Sequence, residues 1–216
     1  MVKKDWRQFD TEEILKGLLY SMTPNKLMTD NRFRHCKSVR DYSVRVLDEI
    51  YTKSFPFTDW SKLSEDRKIL FSHAALLHDC MKGAANADTG MDHGKLAGKV
   101  IESIFGRTAL PISASYYDMI IEAVNEHSNK IESLKNSSNV FLIALIFGDM
   151  LDHVTPDYEK MMRMYAEEMH ISVDGYIDKK RYKMNEALKA VEENPMNGKV
   201  IKECILKIIK EDNLKI

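Results

Sequence analysis

Apolar residues recur at three-to-four spacing along almost the whole chain. Glycine and proline, 9 and 5 of 216 residues, seldom interrupt them. That period lines up apolar side chains on one face of a helix, whereas a strand would need alternation, which is absent. The chain is therefore predicted to be all-α. A first helix capped by Asp10 or Thr11 is expected over about 11–21, and Pro24 is placed to open a second. A long helix should follow over about 31–53, with His35, Val39, Tyr42, Val46 and Ile50 on one inward seam. Residues 54–59 break it, and Ser64 leads into a largely buried helix running to Met81 and stopped by Gly83.

After a polar loop at 84–90, Asp92 is the expected cap of a helix ending at Phe105. Further helices are predicted over about 113–127 and 139–153, separated by a polar stretch, and then near 157–169, 180–193 and 198–210. Apolar density falls at Thr155-Pro156. The expected organisation is N-terminal helices over 1–30, a core over 31–155 and a C-terminal helical extension over 156–216.

Charge narrows the function. Lys and Arg number 32 against 33 Asp and Glu, so no basic footprint for nucleic acid or an anionic membrane is present. The longest apolar run, 140–147, is too short to span a bilayer. The amino terminus shows two lysines without the apolar stretch of a secretory leader. Cys36, Cys80 and Cys204 are odd in number and lack metal-type spacing, as reduced thiols would be. A cytoplasmic protein is expected.

Against this background His35, His78-Asp79, His93, His127 and Asp149 each fall in or beside an apolar, helix-periodic stretch. His93 shares a face with Leu96, Val100 and Ile104, and His127 shares one with Ile120 and Val124. Ionisable side chains turned inward cost free energy unless something engages them. Any one histidine alone reads more readily as a core residue bonded to a carbonyl; the whole set is harder to dismiss. Imidazoles with carboxylates and no cysteine suit a borderline-to-hard divalent ion. His73, on another side of its helix from His78, is read as structural, and Asp152 and His153 as substitutes or supports for Asp149.

The order H…HD…D resembles the signature of the HD superfamily of helical metal-dependent phosphohydrolases. His93 and His127 narrow the likeness to members with a dinuclear centre. Arg32-Phe33-Arg34-His35, His78-Asp79-Cys80-Met81-Lys82, His93-Gly94 with Ala97-Gly98, and Gly148-Asp149 look like the bacterial symmetrical dinucleoside-tetraphosphatase branch. The likeness covers roughly residues 25–155. Ser128 stands where that branch has threonine, SFPFTDWSK is inserted before the HD pair, and the last sixty or so residues do not match.

The resemblance implies an HD-domain helical bundle and two divalent metal ions, iron or manganese first, with zinc, nickel or magnesium also accepted. His35, His78, Asp79 and Asp149 would hold one ion. Asp79 would bridge to a second held by His93 and His127. Asp79 and Lys82 would be catalytic, and Lys82 with Arg32, or Arg34, would meet substrate phosphate. The implied substrate is a small-molecule nucleotide, best a dinucleoside polyphosphate. A mononuclear enzyme acting on a nucleoside monophosphate and a non-catalytic nucleotide-binding module are the alternatives. The segment Met161, Met162, Met164, Tyr165, Met169 reads by default as an adaptable core layer, with a lid over the pocket or a homodimer seam as the alternatives.

Overall fold

The structure, a computed structural model, describes residues 6–22, 25–54, 65–82, 92–106, 112–170 and 172–216. Pro24, the break at 55–59, the Ser64 cap, the Gly83 stop and the 84–90 loop lie outside the described residues. After a short 3₁₀ turn come α1 (Thr11–Met22), α2 (Lys26–Ser54), α3 (Glu65–Leu77), α4 (His93–Phe105) and α5 (Ala114–Glu126). They are followed by α6 (Lys130–Asn136), α7 (Val140–Asp152), α8 (Pro156–Met169), α9 (Asp174–Glu192) and α10 (Gly198–Glu211). No strand occurs among the described residues, and none of their helices is long and apolar enough to cross a membrane.

Side-chain caps set several boundaries where they were expected. Asp10 accepts from Glu13 N, and Asp92 accepts from Gly94 N at the start of α4. Asn139 takes both Phe141 N and Leu142 N. Thr155 caps α8, with Pro156 in its first turn, and the Thr155 hydroxyl donates back to Asp152 O, making the α7–α8 corner tight.

Four boundaries differ from the sequence reading. The short helix at Pro24 and the long one from 31 are a single helix of 29 residues, because Asn25 caps it and no breaker follows. α3 stops at Leu77 instead of Met81: His78–Lys82 form turns, with bonds such as Cys80 N to Leu77 O spanning three residues. The polar stretch after His127 holds α6, seven residues anchored by buried Ser133 and Leu134. α9 begins at Asp174, six residues early, because Val173 and Ile177 pack with Ala166 against α8.

α7 is buried at all thirteen positions, so the other helices can pack around it. Full burial of a side chain such as Phe141, Ile143 or Phe147 contributes about 1.5–3 kcal/mol relative to exposure. α2 lies along α7, with α3 beside α2, α5 beside α7 and α4 on α5. α9 and α10 return to the same core through Met184, Leu188, Ile201 and Ile205. The α2–α7 contact is close because Gly148 faces Val39 and Ser43. A Cβ there would lie 2.8 Å from Ser43 N and 2.9 Å from Val39 O, both backbone atoms.

Gly148→Ala must therefore push the two helices apart. A loss of about 1–3 kcal/mol is expected, read as a lower urea midpoint at unchanged slope. An unmoved midpoint would show that this contact does not limit the packing.

Candidate metal centre

The helices deliver each ionisable group by a different route. His35 sits about a third of the way along α2 and Asp149 near the end of α7, so the close α2–α7 approach brings them together. His78 and Asp79 occupy the turn after α3, His93 opens α4, and His127 closes α5. α4 can approach α5 because Gly94 abuts the Val124 carbonyl, 2.6 Å from where a Cβ would stand.

All six predicted ligands converge, and Asp79 is the hub. Its Oδ1 lies 3.2 Å from His93 Nε2 and 3.4 Å from His127 Nε2. Its Oδ2 lies 3.6 Å from His78 Nε2 and 3.7 Å from His35 Nε2. Asp149 Oδ1 is 3.3 Å from His35 Nε2. Each oxygen of Asp79 thus faces its own pair of imidazoles.

The far sides of three of the rings are anchored. His78 Nδ1 donates to Ala75 O at 2.8 Å and His127 Nδ1 to Val124 O at 2.7 Å, so in the neutral ring Nε2 keeps its lone pair. His35 Nδ1 lies 2.6 Å from Asp152 Oδ2, and Arg34 holds that buried aspartate from the other side. Asp152 therefore supports His35, and Arg34 is committed to it. His153 stacks on His35 and lies 3.7 Å from Asp149 Oδ1.

Four buried atoms at the centre, His35 Nε2, His78 Nε2, Asp79 Oδ1 and Asp149 Oδ1, have no hydrogen-bond partner. Buried carboxylate oxygens and imidazole nitrogens facing one another without partners are costly unless a cation, a proton or a metal ion, joins them. The triads His35–His78–Asp149 and His78–Asp79–His127 each keep their donor atoms within 4.8 Å of one another, all buried. Nitrogen and carboxylate donors of this kind fit a divalent ion.

Charge is balanced in part by lysines. Lys82 Nζ lies 2.5 Å from Asp79 Oδ2, and Lys130 Nζ pairs with Asp149 Oδ2. Burial would raise the Asp79 carboxyl, but the imidazoles of His78, His127, His35 and His93 around it hold it well below the carboxylate range. Burial likewise opposes ionisation of Asp149, and Lys130, His153 and His35 outweigh it. Burial drives His78 down to about 3. For His35 burial is outweighed by Asp149, Asp152 and Asp79, and its imidazole is raised well above the usual range.

A cavity of about 290 Å³ opens beside His35 and Asp79, with Arg32 and Lys82 on its wall. His73 stands apart: it bonds Thr11 Oγ1 and stacks on Phe105, as a structural histidine would. Cys36 and Cys80 are fully buried, and burial pushes the Cys80 thiol up to about 12, which disfavours thiolate ligation. The sequence reading missed Lys130, three residues after His127, because its seven-residue helix looked like a polar loop. It also missed Tyr158, Tyr176 and Lys180 on the cavity wall. Lys180 opens the helix predicted near 180–193, and the four-residue spacing of Tyr176, Lys180 and buried Met184 is the signal that could have extended it back to Tyr176.

A family model described as HD domain matches residues 32–173. No curated protein and no solved structure matches the chain.

A ligating imidazole must be neutral, whereas the carboxylates hold His35 protonated. Metal uptake should expel that proton, and manganese affinity should rise with pH until the raised His35 value is passed and then level off. Calorimetry in buffers of different ionisation heat reads the proton directly. Uptake without proton release, at an affinity flat with pH, would contradict this charge arrangement.

Proposed function

This chain belongs to the HD domain family, and we propose that it works as a phosphohydrolase on a nucleotide through a dinuclear metal centre. The observation that supports two ions is the division of the imidazoles by Asp79: His93 and His127 face Oδ1, while His35 and His78 face Oδ2. A carboxylate that presents one oxygen to each of two donor sets could serve two ions, one held with His35, His78 and Asp149 and the other with His93 and His127. When bound, such a pair supplies Lewis acidity toward phosphoryl oxygens and makes water acidic enough to act near neutral pH.

The protein's own groups do the rest. Lys82, on the cavity wall and half-exposed, is placed to meet the charge of a phosphate or of the departing oxygen. Arg32, four residues before Cys36 on the same helix, lines the same cavity and serves the anion. Asp152 fixes the His35 ring through Nδ1, so Nε2 stays aimed at Asp79 and Asp149. The local wording around each ligand favours a dinucleoside polyphosphate, cleaved to nucleoside diphosphates.

One observation favours a mononuclear enzyme acting on a nucleoside monophosphate: His93 is the least buried imidazole of the set and bonds Ser128 Oγ as well. Metal analysis with a nucleotide panel in manganese or iron separates the readings. Two ions per chain are expected, falling to one in His127→Ala. Lys82→Ala should keep both ions while losing rate by about 10²–10³-fold. Asp79→Ala should lose metal and turnover together, and full activity of a His78→Ala, Asp79→Ala double variant would end the proposal.

A further inference from the structure

The cavity beside Asp79 has a second wall that the hydrolytic chemistry does not use. α8 contributes Met161, Met162 and Tyr165, and α9 contributes Tyr176 and Lys180. Tyr158 OH lies 3.2 Å from Tyr176 OH, so the two phenols tie α8 to α9 across this wall. Thioethers and aromatic rings offer polarisable surface that suits a flat ring, and they adapt to its outline. Met164, in the same segment, points elsewhere and is 51% exposed. The methionines facing the cavity are therefore placed there by the helix period, while their neighbour is not.

Lys180 sets the polarity of this wall. It is half-buried, its Nζ lies 3.4 Å from His153 Nε2 and 5.0 Å from the Tyr176 ring centroid, and it forms no ion pair with a carboxylate among the described residues. Lys82 and Lys130 each already have one. An ammonium kept in a cavity without an acidic partner calls for an anion from outside. The volume, about 290 Å³, lies at the small end of ligand pockets, roughly 300–1,000 Å³. It suits one ring-bearing unit, with any second unit left at the mouth.

We propose that α8 and α9 form a base slot: Met161, Met162, Tyr165 and Tyr176 take the heteroaromatic ring of one nucleotide unit, and Lys180 takes the phosphate attached to it. The slot rests on the phosphohydrolase reading for the bond that is cut, and names the part of the substrate that is recognised. Tyr176 is 41% exposed, so truncating it leaves the core filled, and Tyr176→Phe, which loses the hydroxyl tie to Tyr158 but keeps the ring, is the control that should retain the base preference.

The test compares AMP with ribose 5-phosphate, which carries the same phosphate and sugar without a base, on the full-length, manganese-loaded chain. Binding is read by calorimetry, or as KM if either is turned over, and phosphate release is followed in the same samples. AMP should bind about ten- to a hundredfold more tightly. Tyr176→Ala should erase most of that ratio. Lys180→Gln should weaken both compounds alike and leave the ratio in place. Equal binding of the two by the unaltered chain, or a ratio untouched by Tyr176→Ala, would overturn the slot. Base discrimination without phosphate release from any ester tested would leave the slot standing and remove the hydrolytic reading; release that ignores the base would do the reverse.

Discussion

A carboxylate buried among four imidazoles is the constraint around which the rest of the molecule is arranged. Asp79 is almost wholly inaccessible, and an ionised group there would be prohibitively costly without neighbours that stabilise its charge. The same division recurs at Asp149. In both aspartates Oδ2 is held by a lysine and Oδ1 has no hydrogen-bond partner. Lys82 and Lys130 make the protein foldable with its carboxylates charged, and the orphaned oxygens and imidazole nitrogens leave room for one kind of partner, a cation.

That arrangement demands precision from helices distant in sequence. α2 and α7 meet over a glycine, and α4 meets α5 over another, so His35 is set against Asp149 and His93 against His127 within a few ångströms. The rings are then clamped from behind by two carbonyls and by Asp152, which Arg34 holds. Helix-end positions suit this work. His78, His93 and His127 lie where the backbone ladder is incomplete and a ring can take a nearby carbonyl or cap. The bland expectation for a core histidine, a bond to a carbonyl, holds for His78 and His127 at Nδ1. It coexists with a ligand role because imidazole has two nitrogens.

Helix identity, most caps and the inward direction of each candidate ligand were readable from residue order. The caps are local: Asp92 reaches an amide two residues away, and Asn139 reaches two amides within three. Inward direction is equally local, since a 3.6-residue period shows which face of α2 or α7 is apolar. What escaped were elements held by contacts from afar. α6 has seven residues and a charged surface, and it persists through Leu134 and the Asn194 side chain, which donates to Leu134 O. The early end of α3 depends on His78 turning to take the Ala75 carbonyl.

Residue order therefore settled the helical class and the chemical types of the candidate ligands, because both follow from periodicity and from the cost of turning ionisable groups inward. Only the folded chain decided which imidazoles face which oxygen of Asp79, that Lys130 and Lys82 share the charge, and that α8 and α9 wall the cavity. The Asp79–Lys82 pair is local, but the rest are distances between segments as far apart in the chain as Arg32 and Lys180, set by how side chains interlock across helices, and no short window of sequence encodes them.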